Sequence, residues 1–217
     1  MSGTITSLVL QKNNKERVNV FLDEQYSFSL SLLRAAQLKR GQYLSEEQIA
    51  ALKSQDERGK AYNRALNYLS YRPRSQAEVE RYLLGKGWDE AVISDVVDRL
   101  RQAGLVDDKE FASFWIDDRQ RFRPRGRMAL RYEMRAKGLD EATIAEALEG
   151  VDEEQSAYEL AHKRASRETG LAPHEFRRKL GQYLARRGFS FSVIGAVLRR
   201  IEQEIEQPCD EDTIDHS

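Results

Sequence analysis

The sequence predicts a mainly α-helical chain of three tandem three-helix repeats in an elongated array, preceded by a small N-terminal β-hairpin or sheet segment. Three observations carry this. The run Leu83-Leu84-Gly85-Lys86-Gly87-Trp88-Asp89 returns around Gly138 and again around Gly188, at separations of 51 and 50 residues. So steady a period marks a repeat array. Six residues after each glycine begins the same apolar stripe at i, i+3, i+4, i+7: Ile93, Val96, Val97, Leu100; Ile144, Ala147, Leu148, Val151; Ile194, Val197, Leu198, Ile201. Ahead of the repeats, Val18, Val20 and Leu22 alternate with period two, and Tyr26–Leu30 alternates again.

In chain order, Ile5–Leu10, Arg17–Leu22 and Tyr26–Leu30 are β-prone runs, the last two separated by the polar break Asp23-Glu24-Gln25. Helices are expected over Ser31–Leu38 and Ser45–Lys53, the second opened by the capping-box pair Ser45 and Gln48. Repeat one opens with a helix carrying Ala61, Ala65, Leu66 and Leu69, which ends before Pro73; Ser75 and Glu78 then cap the next helix. Within each repeat an i, i+4 pair (Val79 and Leu83, Leu130 and Met134, Leu180 and Leu184) gives the second helix its buried face. The glycine stops that helix in the left-handed conformation, and Trp88, Leu139 or Phe189 packs back on the last turn. Asp89, Asp140 or Ser190 caps the third helix, and Asp107-Asp108 caps the helix that opens repeat two. The expected organisation is a leading strand and helix segment over 1–56, repeats over 57–105, 106–151 and 152–207, and an acidic, disordered tail over 208–217.

Composition narrows the function classes. The chain has 217 residues, 33% charged, with 35 basic against 36 acidic. No run approaches the roughly 20 apolar residues of a membrane span, and no signal segment opens the chain, so a cytoplasmic, soluble protein is expected. Cys209 is alone, which excludes an internal disulfide. His162, His174 and His216 lack metal-ligand spacing, and Gly85-Lys86-Gly87 follows no strand, so neither a metal site nor a phosphate loop is expected. Asp107-Asp108 and Asp117-Asp118 are explained as a cap and a solvated face. Neither an active site nor a cofactor is expected.

The charge is segregated. From Arg119 to Lys137 there are eight basic residues (Arg119, Arg121, Arg123, Arg125, Arg127, Arg131, Arg135, Lys137) against one acid, Glu133. From Asp140 to Glu154 there are seven acids and no Lys or Arg. Arg127, Arg131 and Arg135 form one helical stripe, and like charges at that spacing cost about 0.2–0.5 kcal/mol per pair. A second basic region holds Lys163, Arg164, Arg167, Arg177, Arg178, Lys179, Arg186 and Arg187. A solvated basic face and a surface for an acidic partner, phosphate or protein, both fit this pattern.

Arg72-Pro73-Arg74-Ser75 with Glu78, Leu83 and Lys86-Gly87, then Gly104-Leu105-Val106-Asp107-Asp108, Phe111-Ala112, Arg119, Gly126, Leu130 and Lys137-Gly138-Leu139, resembles the RecX family of recombination regulators. Asp23-Glu24-Gln25-Tyr26-Ser27-Phe28 and Leu38-Lys39-Arg40-Gly41 resemble members with an extra leading segment. The resemblance implies tandem three-helix modules without enzymatic activity. It implies binding in the groove of the RecA recombinase filament on single-stranded DNA, restraining its ATPase, strand exchange and co-protease action. Some members bind DNA directly, so single- or double-stranded DNA is a second expected partner; no membrane contact is expected, and the chain is taken as a monomer. The partner-binding set is Arg72, Arg74, the basic residues from Arg119 to Lys137, and Lys163, Arg164, Arg177, Arg178, Arg186 and Arg187. The alternative is a stand-alone nucleic-acid binder made of helix-turn-helix-like modules.

Overall fold

The structure, a computed structural model, describes residues 2–166 and 171–206; Arg167, Cys209, His216 and the acidic tail lie outside the described residues. The chain divides into two compact units, the first Met1–Arg72 with Val79–Leu105, the second Pro73–Glu78 with the chain from Val106 on.

In the first unit, β1 (Gly3–Leu10), β2 (Arg17–Leu22), β3 (Gln25–Ser31) and β4 (Tyr43–Leu44) form a sheet in the order β3-β2-β1-β4. All its neighbours are antiparallel. The alternation read from Val18, Val20 and Leu22 places all three in the core with Ile5, Phe28 and Leu30. Asp23 and Glu24, both at positive φ (48° and 68°), turn β2 into β3. Two positive φ values are what a two-residue hairpin turn of type I′ requires. The fourth strand goes beyond the three β-prone runs read from the sequence: the Gly41 N–H donates to the Ile5 carbonyl at 2.8 Å, bringing Tyr43-Leu44 alongside β1.

Two helices differ from the sequence reading. The helix expected over Ser31–Leu38 is only α1 (Leu32–Ala35). Gln37 and Leu38 already donate three residues back, to Arg34 and Ala35, as the chain tightens towards Gly41. The helices expected at Ser45–Lys53 and in repeat one are a single helix, α2 (Glu46–Leu69), opened by the Ser45–Gln48 capping box. No proline interrupts it, and its middle is tied down by Asp56, which is 4% exposed. The Asp56 carboxylate accepts from Arg17 Nη2 and Lys60 Nζ, each at 2.9 Å, and from the Ser31 N–H at 2.9 Å. One buried acid thus fastens the helix to the edge of β2 and β3.

The first unit continues with α3 (Gln76–Leu84), whose first turn belongs to the second unit, and α4 (Glu90–Gln102). The second unit holds α5 (Asp108–Phe122), α6 (Arg127–Ala136), α7 (Glu141–Glu149), α8 (Glu153–Ala165), α9 (Pro173–Arg186) and α10 (Phe191–Glu206). All the residues of the three apolar stripes are buried except Ala147, which is half-buried, and so are the three i, i+4 pairs. Gly87, Gly138 and Gly188 have φ of +84°, +90° and +82°. Trp88, Leu139 and Phe189 donate to Leu83, Met134 and Leu184 at 3.2–3.3 Å, completing the same helix stop three times.

Burial alone pushes the Asp56 carboxyl up, but the hydrogen bonds from Arg17, Lys60 and the Ser31 N–H outweigh it and hold it below its usual 3.8. A carboxyl depressed on folding contributes stability that is complete above its unfolded value and is lost as pH falls through the folded one. Urea midpoints of the first unit should therefore drop on acidification below about pH 4, and Asp56→Asn should flatten that dependence. Parallel profiles for the two proteins would contradict the role given to Asp56.

Candidate partner-binding surface

The basic stretch from Arg119 to Lys137 runs from the end of α5 through a loop into α6. Its one acid, Glu133, is the hub of the stretch. Glu133 Oε2 accepts from Arg119 Nε at 2.7 Å and from the Trp115 indole N–H at 2.9 Å, and Arg125 Nε lies 3.7 Å from Oε1. The Arg119 guanidinium and the Lys137 ammonium lie over the Trp115 ring, 4.1 and 4.9 Å from its centroid. Lys137 Nζ also donates to Glu78 Oε1 at 2.8 Å. Arg119, Arg125 and Lys137 are therefore half-buried parts of the scaffold.

The stripe Arg127, Arg131, Arg135 is exposed but not uniformly idle. Arg127 Nη2 donates to the Val151 carbonyl at 2.6 Å, and Arg135 pairs with Glu141, whose carboxyl it holds below the usual value. These contacts relieve part of the repulsion read from sequence. Arg121, Arg123 and Arg131 are exposed, and their side chains make no hydrogen bond or ion pair with any described residue. Beside them Phe122, Met128 and Tyr132 are 71%, 67% and 75% exposed. Phe122 and Met128 were not singled out from the sequence. The signal was the i, i+4 pair Met128 and Tyr132, which falls between the buried positions of α6.

In the second basic region, Arg164 and Arg187 both lie over the Tyr183 ring, at 5.5 and 5.2 Å. Arg177 pairs with Glu202, while Lys163, Arg178 and Arg186 are exposed. Arg72 and Arg74 are half-buried in the loop before α3.

The two regions meet through the backbone. The Gly126 N–H, flanked by Arg125 and Arg127, donates to the Arg187 carbonyl at 3.0 Å. The equivalent contact occurs one repeat earlier: Ser75 Oγ, next to Arg74, donates to the Lys137 carbonyl at 2.7 Å. Ser75 and Gly126 each lie 12 residues before their own glycine, and Lys137 and Arg187 each lie one before theirs. A Cβ at Gly138 would collide with Ala77 Cβ, and one at Gly188 would collide with Ala129 Cβ and approach its nitrogen to 2.7 Å. The close approach of each glycine turn to a helix start therefore brings together segments that carry cations and are distant in sequence, twice, with a period of about 50 residues.

Among the described residues no cluster of three or more His, Cys, Asp or Glu is placed to hold a metal, and no helix is long and apolar enough to cross a membrane. The arrangement offers cations and exposed apolar groups to a partner.

Comparison with known proteins agrees with this architecture. The model of the RecX first three-helix domain matches residues 61–100, the second 107–148 and the third 152–198; that of the regulatory protein RecX N-terminal domain matches 3–45. The chain is 35% identical over 216 residues to regulatory protein RecX of Bacillus licheniformis, covering 97% of this chain and 82% of that protein. To regulatory protein RecX of Bacillus subtilis (strain 168) it is 36% identical over 215 residues, covering 97% and 81%. A crystal structure of regulatory protein RecX superposes with a TM-score of 0.73 at 30% identity, over 90% of this chain and 98% of that one. The crystal structure of RecX from Lactobacillus salivarius gives 0.63 at 28% identity, over 68% and 98%.

Glu133→Gln keeps the shape of the hub and removes its charge. Hydrogen bonds to charged groups contribute about 1.5–3 kcal/mol, and partial exposure here reduces that, so a loss of about 1–2 kcal/mol is expected from urea unfolding. Glu149→Gln, exposed on α7, should stay within about 0.5 kcal/mol. Equal small losses would remove Glu133 from its place as hub.

Proposed function

The chain belongs to the RecX family, and from that premise we propose that it is a non-enzymatic regulator that binds the RecA filament on single-stranded DNA. There it restrains ATP hydrolysis, strand exchange and co-protease action. The observation that supports this reading is the repeated cationic junction, Arg74-Ser75 against Lys137-Gly138 and Arg125-Gly126-Arg127 against Arg187-Gly188. Charges brought together at a regular sequence period suit a polymer that presents acidic groups at a regular period. Contacts that are individually weak then add through effective concentration.

Arg121, Arg123 and Arg131 with Phe122, Met128 and Tyr132 form the part of this surface free for a partner. Exposed aromatic rings among arginines also suit stacking on unpaired bases, which is the observation favouring the second reading, direct binding of nucleic acid. That reading requires affinity for bare strands with a steep salt dependence.

Titration of a RecA filament's DNA-dependent ATPase with this protein should show inhibition at less than one copy per recombinase subunit. Replacing Arg121, Arg123 and Arg131 together by Ala removes three surface charges worth about 0.5 kcal/mol each. The half-inhibiting concentration should rise about tenfold, with the melting temperature unchanged. An unaffected ATPase at saturation would reject the regulator reading, and an unchanged half-inhibiting concentration would reject this surface.

A further inference from the structure

The first unit contains a cleft of about 740 Å³, walled by the β1–β2 loop, α1 and the middle of α2, with Arg99 of α4 at its edge. Its size falls within the roughly 300–1,000 Å³ of small-ligand sites. Five cations line it, Arg17, Arg34, Lys60, Arg64 and Arg99, against two acids, Glu16 and Asp56. Asp56 is already neutralised by Arg17 and Lys60, so a single carboxylate faces the remaining arginines.

The donors are arrayed and partly unspent. Lys60, Asn63, Arg64 and Asn67 fall at i, i+3, i+4 and i+7 of α2 and make one polar stripe along the cleft. The Arg64 side chain makes no hydrogen bond or ion pair with any described residue. The Arg99 guanidinium lies over the Tyr62 ring, 4.3 Å from its centroid, which orients the fork while leaving its N–H donors unbonded by described residues. Between these groups the floor is Gly59, in the interior of α2. Glycine is a destabilising choice there relative to alanine. Gly59 has no positive φ, and a Cβ on it would meet nothing within 4 Å. Neither backbone nor packing calls for glycine, whereas close approach of a ligand to the backbone does.

Guanidinium forks, an ammonium and side-chain amides form a donor set that matches phosphate oxygens. An arginine plane already stacked on tyrosine offers its outer face to a base. We propose that this cleft binds a phosphodiester segment of single-stranded nucleic acid, as a site separate from the arginine surface of the second unit. It does not depend on the recombinase reading, because the bare strand is the ligand.

The test uses the full chain carrying Arg121→Ala, Arg123→Ala and Arg131→Ala, and a fluorescein-labelled ten-residue oligothymidylate followed by anisotropy across a salt series, without recombinase. Adding Arg64→Ala and Arg99→Ala should weaken binding at least tenfold and make the log–log salt slope shallower by about 1.4, since each phosphate contact on a single strand contributes about 0.7. Gly59→Ala should raise the melting temperature by about 2–4 °C and yet weaken binding at least threefold. Unlabelled oligonucleotide should compete well and ATP poorly. Unchanged affinity in Gly59→Ala, an unchanged slope in the arginine pair, or competition by ATP equal to that of the strand would each overturn the proposal.

Discussion

Two glycine turns that touch a helix start hold the second unit in its arrangement. Gly138 and Gly188 need left-handed backbone, as Gly87 does, at about 1–2 kcal/mol for any other residue. Unlike Gly87, they also have no room for a Cβ, because Ala77 and Ala129 occupy it. The carbonyl just before each glycine receives a hydrogen bond from the opposing segment, from Ser75 in one case and Gly126 in the other. The same contact at the same register converts a sequence period into a structural one.

That constraint decides where the charge goes. Each contact has an arginine or lysine beside it on both segments, so basic runs far apart in sequence are drawn together at the backbone. Glu133 and Glu78 hold the inner cations, Arg119, Arg125 and Lys137, and Glu141 engages Arg135. What remains outward, Arg121, Arg123 and Arg131 with their exposed apolar neighbours, has no folding role visible in its contacts.

The local part of this fold was legible because it is written at short range. Helix stops at Gly87, Gly138 and Gly188, the i, i+3, i+4, i+7 stripes and the alternating strands each depend on residues within one or two turns. The tether from Asp56 to Arg17 joins residues 39 apart, and no local pattern announces it; hence the continuity of α2 was missed. The stripe of Arg127, Arg131 and Arg135 was legible as a stripe, but its partners Val151 and Glu141 lie beyond the helix that carries it. Gly59 carries no local signal, because the cleft it lines is closed by Asn14, Glu16 and α1, far away in sequence. The Ser75–Lys137 and Gly126–Arg187 contacts cross 62 and 61 residues of sequence, so only the period hinted at them.

A double-mutant cycle addresses the glycine contact most directly. Urea unfolding would be followed for Gly87→Ala, Gly138→Ala, Ala77→Gly and the pair Gly138→Ala with Ala77→Gly. Gly87→Ala should cost about 1–2 kcal/mol, the backbone strain alone. Gly138→Ala should cost about 1–3 kcal/mol more, from overpacking, and Ala77→Gly should restore at least about 1 kcal/mol of that through coupling. Equal losses at Gly87 and Gly138, with Ala77→Gly purely additive, would show that the glycine turn does not seat against the start of α3.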